Sequence, residues 1–145
     1  MNNAAVPAVS GLTEASLRDL VEWAHHFLVV EDDGAVVALL ITLLPGTTYG
    51  SMNYAWFSQR YDSFGYVDRI AVAPTAHSKG IGRMLYDDYS ARCRAAGLPR
   101  VCAEVNTEPR NDQSLRFHDL YGFRAVGEQD TDAGTKSVVM LELPL

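Results

Sequence analysis

Apolar residues recur along this chain at two spacings. Leu17, Leu20, Val21 and Ala24 repeat at helical intervals and predict a helix from about Thr13 to Ala24. Phe27–Glu31 and Val36–Leu44 follow as apolar runs of strand length. Between them lies Asp32-Asp33-Gly34, whose Asp-Gly pair supplies the positive φ of a tight hairpin turn. Pro45 ends the second run, and Tyr66–Val72 predicts a further strand. A long helix from Gly80 to Ala96 carries Leu85, Tyr89 and Cys93 on one face and is terminated by Gly97 and Pro99. Arg100–Asn106 reads as a strand and Gln113–Leu120 as a short helix that Gly122 stops. Arg124–Gln129 and Lys136–Leu143 read as a closing hairpin. Ala5–Val9 predicts a short edge strand, because Pro7 has no N–H to give to a ladder. The resulting order, βαβββαβαββ, is that of an α/β fold.

Composition narrows the picture modestly. A chain of 145 residues with 48% hydrophobic content is long enough for one domain, residues 1–145, with a substantial core. The N-terminal residues lack a basic segment followed by an apolar run, and no stretch approaches the ~18 apolar residues of a membrane span, so a cytoplasmic protein is expected. Cys93 and Cys102 are too few for a disulfide framework and lack metal-ligand spacing; no metal is expected. A net charge of −6 argues against nucleic acid as the main partner, because phosphate binding needs a concentrated basic surface.

The chemistry concentrates after the Tyr66–Val72 strand. Pro74 opens a turn, and His77-Ser78-Lys79-Gly80-Ile81-Gly82-Arg83 leads into the long helix. A strand followed by a basic glycine turn and a helix start gathers backbone N–H groups where an anion can sit, and glycines let the ligand approach the main chain. The spacing is neither that of a Walker loop nor that of a dinucleotide fingerprint, whose third glycine would fall at Leu85.

The segment instead resembles the pyrophosphate loop of the GNAT superfamily, the acyl-CoA-dependent N-acyltransferases, which reads Gln/Arg-x-x-Gly-x-Gly/Ala. His77 departs from the first position. A second block strengthens the resemblance: the family's Asn-x-x-Ser/Ala-x-x-Phe-Tyr-x-x-x-Gly-Phe is matched by Asn111, Ser114, Phe117, Gly122 and Phe123, with His118 where tyrosine is usual. The resemblance implies a mixed, mostly antiparallel twisted sheet of about six to seven strands, with helices on both faces and a splayed central strand pair. It further implies acetyl-CoA as co-substrate and an amine on a small molecule or peptide as acceptor. The alternatives are a different acyl-CoA donor or a non-catalytic acyl-CoA-binding module. Family habit makes a homodimer possible.

By the same resemblance, main-chain groups of Ile70, Ala71 and Val72 pair with the pantetheine arm, and residues His77, Ser78, Lys79, Gly80, Ile81, Gly82 and Arg83 hold the pyrophosphate. Asn111 either contacts the pantetheine or caps its helix, and Ser114 and His118 lie beside the cofactor. His118 takes the place of the tyrosine that protonates the leaving thiolate; its other reading is a histidine satisfied by nearby backbone. Two carboxylates compete for the role of base. Glu104 shares a strand face with Cys102 and Asn106, and Asp68 shares one with Tyr66 and Ile70. Each could instead be paired structurally with Arg69 or Arg100. The connector from Gly46 to Ser63, with the strand start after it, carries seven of the chain's 14 aromatics, from Tyr49 to Tyr66. Tyr54, Trp56, Tyr61 and Tyr66 are therefore candidate walls of an acceptor pocket, with packing on the sheet or a dimer face as the alternative.

Overall fold

The computed structural model describes residues 13–145, so the predicted strand at Ala5–Val9 lies outside the described residues. Thr13 caps helix α1 (Glu14–Trp23), its hydroxyl accepting from the Ser16 N–H at 3.1 Å while Ser16 Oγ accepts from the Thr13 N–H at 2.9 Å. Strands β1 (Ala24–Asp32) and β2 (Ala35–Leu43) form the expected hairpin, turning at Asp33 and Gly34 with φ of 54° and 80°. β1 starts earlier than the apolar run suggests. His25 and His26, which lie between the expected helix and strand, therefore open the strand, next to a register shift against β2.

The connector holds a helix that the periodicity does not announce, α2 (Met52–Ser58), capped by Ser51 Oγ accepting from the Tyr54 N–H at 3.3 Å. Then follow β3 (Gly65–Val72), α3 (Ile81–Ala95), β4 (Arg100–Glu108), α4 (Asp112–Tyr121), β5 (Arg124–Thr131) and β6 (Lys136–Pro144). The six strands form one sheet in the order β1-β2-β3-β4-β6-β5. All neighbours are antiparallel except β3 and β4, which the α3 crossover makes parallel.

Alternation along the strands divides the core into two clusters. On one face Val67, Val101, Ala103 and Val105 pack with Leu85, Tyr86, Tyr89 and Cys93 of α3. On the other, Tyr66, Cys102 and Met140 pack with Leu20 of α1 and with Tyr54, Trp56 and Phe57 of α2. The helices thus lie on both faces, as expected.

The parallel pair is joined only at its start. Gly65 lies opposite Val101 and Tyr66 opposite Cys102, and beyond these residues β3 and β4 share no register pair. β3 remains paired on its other side, to β2, as far as Val72. Asp68, Ile70 and Val72 are partly exposed, yet the Asp68 side chain is only 4% exposed, so its accessible surface is main chain. The splayed strand pair is present, and its open edge is the backbone of β3.

Candidate active site

A cavity of about 920 Å³ fills the opening between β3 and β4. It runs from the start of α3, along the free edge of β3, to Glu104 and the Tyr49–Asn53 segment. At the α3 end, the Ala73 N–H bonds to the Val37 carbonyl at 2.7 Å and Pro74–Ala76 form a single 3-10 turn. The His77 ring donates from Nε2 to the Val72 carbonyl at 2.9 Å, tying the loop to the end of its strand. Ser78 and Gly80 adopt φ of 67° and 74°, a left-handed conformation that suits glycine and is uncommon for serine.

The first helical bond of α3 runs from the Met84 N–H to the Gly80 carbonyl at 3.0 Å, leaving the N–H groups of Ile81, Gly82 and Arg83 ahead of it. Together with the helix dipole they make this end of the cavity favourable for an anion. A Cβ on Gly82 would lie 3.0 Å from Phe117 Cζ, so glycine lets α3 and α4 approach here without displacing that ring. Lys79 is the exception among the predicted loop residues. It does not line the cavity; its ammonium lies 3.7 Å from Asp32 on the exposed surface.

At the other end stands Glu104. It continues the face of Cys102 beyond the aromatic cluster, half-buried and bordering the cavity. Tyr66 Oη donates to both of its oxygens at 2.9 Å, and Asn53 Nδ2 donates to Oε1 at 3.3 Å. Burial, and secondarily the charge of Asp68, push its pKa up to about 8 against the opposing effect of those donors. Asp68, the rival, also lines the cavity, but Arg69 Nε donates to its Oδ2 at 2.7 Å and Tyr49 Oη to its Oδ1 at 2.6 Å. Of the two structural pairings foreseen, that of Asp68 with Arg69 is present. Arg100 pairs instead with Glu142 at 2.9 Å.

His118 is 2% exposed. Its Nδ1–H donates to the Ser114 carbonyl at 2.8 Å, and its Nε2 accepts from Tyr86 Oη at 2.7 Å. Burial lowers its pKa, which keeps the ring neutral. Asn111 is the cap of α4, its Oδ1 accepting from the Ser114 N–H at 3.2 Å, and both residues border the cavity.

The aromatic segment divides differently from the expectation. Tyr54, Trp56 and Tyr61 are not pocket walls. Tyr54 is 3% exposed and donates to the Leu44 carbonyl at 2.5 Å. Trp56 covers Gly127, and Tyr61 lies under Arg100, 4.1 Å from guanidinium carbon to ring centre. Tyr66 is also fully buried and meets the site only through its hydroxyl. Large rings were needed to fill the space beneath α2, and apolar character alone does not separate that use from a ligand wall. The cavity is bordered instead by Tyr49, Ser51, Met52 and Asn53, which precede the buried rings, and by Tyr86, whose signal was its place beside Leu85 on the inner face of α3.

Among the described residues no cluster of His, Cys, Asp and Glu side chains is arranged to hold a metal ion, and no helix is long and apolar enough to cross a membrane. Comparison with curated proteins finds no significant match. Solved structures share the fold. Ard1 from Thermoplasma volcanium is 23% identical with a TM-score of 0.75, covering 98% of this chain and 86% of its own. Naa20 of Chaetomium thermophilum, in complex with a bisubstrate analogue, is 20% identical with a TM-score of 0.73, covering 95% and 75%. A GNAT family acetyltransferase of Elizabethkingia anophelis with acetyl-CoA bound is 12% identical with a TM-score of 0.66, covering 92% and 84%. The profile of the acetyltransferase (GNAT) family matches residues 6–123. With that match spanning most of the chain, and the splayed pair and glycine loop in place, this protein belongs to the GNAT family and to the acyl-CoA-dependent acetyltransferases.

Proposed function

We propose that the protein transfers the acetyl group of acetyl-CoA to a primary amine of a small molecule or peptide by direct attack on the thioester. The observation that carries this reading is a carboxylate, Glu104, held by Tyr66 and Asn53 at the far end of the same cavity that begins at an anion-favouring helix start. The N–H groups of Ile81, Gly82 and Arg83 receive the pyrophosphate, and the free edge of β3 at Ile70, Ala71 and Val72 pairs with the pantetheine arm as one strand pairs with another. The Val72 N–H polarises the thioester carbonyl.

Glu104 serves as the base. The amine nitrogen bonds to the acyl carbon, the carbon–sulfur bond breaks, and the proton lost by the nitrogen passes to Glu104, directly or through a water. Asp68, held by Arg69 and Tyr49, supports Glu104 electrostatically by raising its pKa. The leaving thiolate takes a proton from the corner formed by Tyr86 and His118. The neutral His118 ring commits its only N–H to Ser114, so the donor is the Tyr86 hydroxyl, whose one proton rests on His118 Nε2. That hydroxyl swings from the nitrogen to the thiolate, exchanges its O–H bond for the new S–H bond, and is reprotonated from water once coenzyme A departs.

A non-catalytic binding module would place its carboxylates and histidine away from the cleft, whereas Glu104, Asp68 and His118 all border it. A thiol-release assay with acetyl-CoA and a panel of amines and peptide N-termini tests the reading. Release that depends on the acceptor is expected; coenzyme A binding without such release would sink it.

A further inference from the structure

Helix α2 lies across β5 in a fixed register. Trp56 packs on Gly127 so closely that a Cβ there would fall 2.3 Å from the indole Cζ2. One turn back along the helix stands Asn53, and two residues along the strand stands Gln129. The i, i+3 spacing of the helix thus matches the i, i+2 spacing of the strand face, and the two amides meet: Gln129 Nε2 donates to Asn53 Oδ1 at 3.0 Å. Asn53 Nδ2 in turn donates to Glu104 Oε1 at 3.3 Å.

We propose that Asn53 and Gln129 form a positioning pair for the Glu104 carboxylate, fixing Oε1 and leaving Oε2 to take the proton of the acceptor amine. This rests on the reading of Glu104 as the base. An asparagine amide has one donating and one accepting end, and turning it over would aim Oδ1 at the carboxylate, oxygen against oxygen. Gln129, with its NH2 turned to the accepting end, opposes the turn. Oε1 then takes donors from both Asn53 and Tyr66 and Oε2 shares the Tyr66 hydroxyl, while the main-chain N–H of Glu104 also favours the charged carboxylate.

The other groups facing this carboxylate do not supply that asymmetry. Tyr66 and Asp68 face it from β3, Tyr49 from the connector, Tyr86 from α3 and Cys102 from its own strand; Arg69 on β3 carries the nearby positive charge and holds Asp68. Tyr66 touches both oxygens alike, and Asp68 raises the pKa without choosing between them. Asn53 is the donor that distinguishes one oxygen from the other, and Gln129 is what orients Asn53.

The test is a double-mutant cycle of Asn53→Ala and Gln129→Met in the full chain, read two ways. Carboxyl-carbon NMR of the ligand-free protein follows the titration of Glu104. Steady-state assays give the pH profile of kcat/KM. Gln129→Met should raise the Glu104 titration midpoint by about half a pH unit to one unit and lower kcat severalfold, while KM for acetyl-CoA stays within twofold. In the Asn53→Ala background the same change should add nothing. An unmoved midpoint in Gln129→Met, or effects that simply add, overturns the pairing. Because the NMR readout needs no turnover, a Glu104→Gln variant of undiminished rate would refute the base assignment without touching the positional claim.

Discussion

Tyr66 and Glu104 meet across the mouth of the splay. Tyr66 belongs to the last register pair between β3 and β4, Glu104 stands two residues beyond its partner Cys102, and the phenol hydroxyl lies 2.9 Å from both carboxylate oxygens. The separation of the strands thus begins where the carboxylate needs a donor. Through this contact the core on the α2 face ends in a titratable group.

The pH dependence of turnover follows from that group. A base works only when deprotonated, so activity should climb as pH rises through about 8, where burial places Glu104. Measured with a weakly basic acceptor, whose own titration lies well below, the ascending limb of kcat/KM should have its midpoint there. Glu104→Gln should abolish the limb and reduce kcat about a hundredfold.

Stability should run the opposite way. A carboxyl whose folded pKa exceeds its unfolded value holds a proton in the native state that the unfolded chain has released, so stability falls as pH rises between the two values. For Glu104 that window runs from 4.5 to about 8. Unfolding in urea at pH 5 and pH 8 should show a loss on the order of 3 kcal/mol from this residue. Glu104→Gln should flatten that part of the profile; an equal slope in both proteins would contradict the assignment.

Gly82→Ala tests the anion end. The new methyl would press on the Phe117 ring at 3.0 Å, moving α4 or the start of α3 by a few tenths of an ångström. Coenzyme A affinity by calorimetry should drop several-fold, with kcat at saturating acetyl-CoA changed less.

Tyr86→Phe strips the donor from a buried imidazole nitrogen and should cost about 1–3 kcal/mol of stability. His118→Ala and Tyr86→Phe should each lower turnover more than coenzyme A affinity, and their combination should be no worse than the weaker single variant. Undiminished turnover in both would remove the pair from the proton path.

What the sequence revealed was local. The hairpin turn at Asp33-Gly34 and the helix start at Gly80 announce themselves because a positive φ at these positions is written into one or two adjacent residues. Glu104 was legible through the two-residue period of β4, which put it on the face of Cys102. The pairs on which the proposed site rests were not legible: Tyr86 with His118 is separated by 32 positions and Asn53 with Glu104 by 51, distances at which no spacing rule operates. Helix α2 was missed for another reason. Its seven residues span barely two turns and three of them, Tyr54, Trp56 and Phe57, are buried rings, which leaves too short a polar face for periodicity to register.

The abrupt change of role along α2 limits how this end of the cavity can be altered. Tyr49 to Asn53 border the cavity, while from Tyr54 onward the buried rings support the sheet. Because Ser51 caps α2, substitutions confined to Gly50 and Met52 can reshape the entrance without loosening the interior, and a library aimed at new acceptors would have these two positions to vary before it begins to trade selectivity against folding.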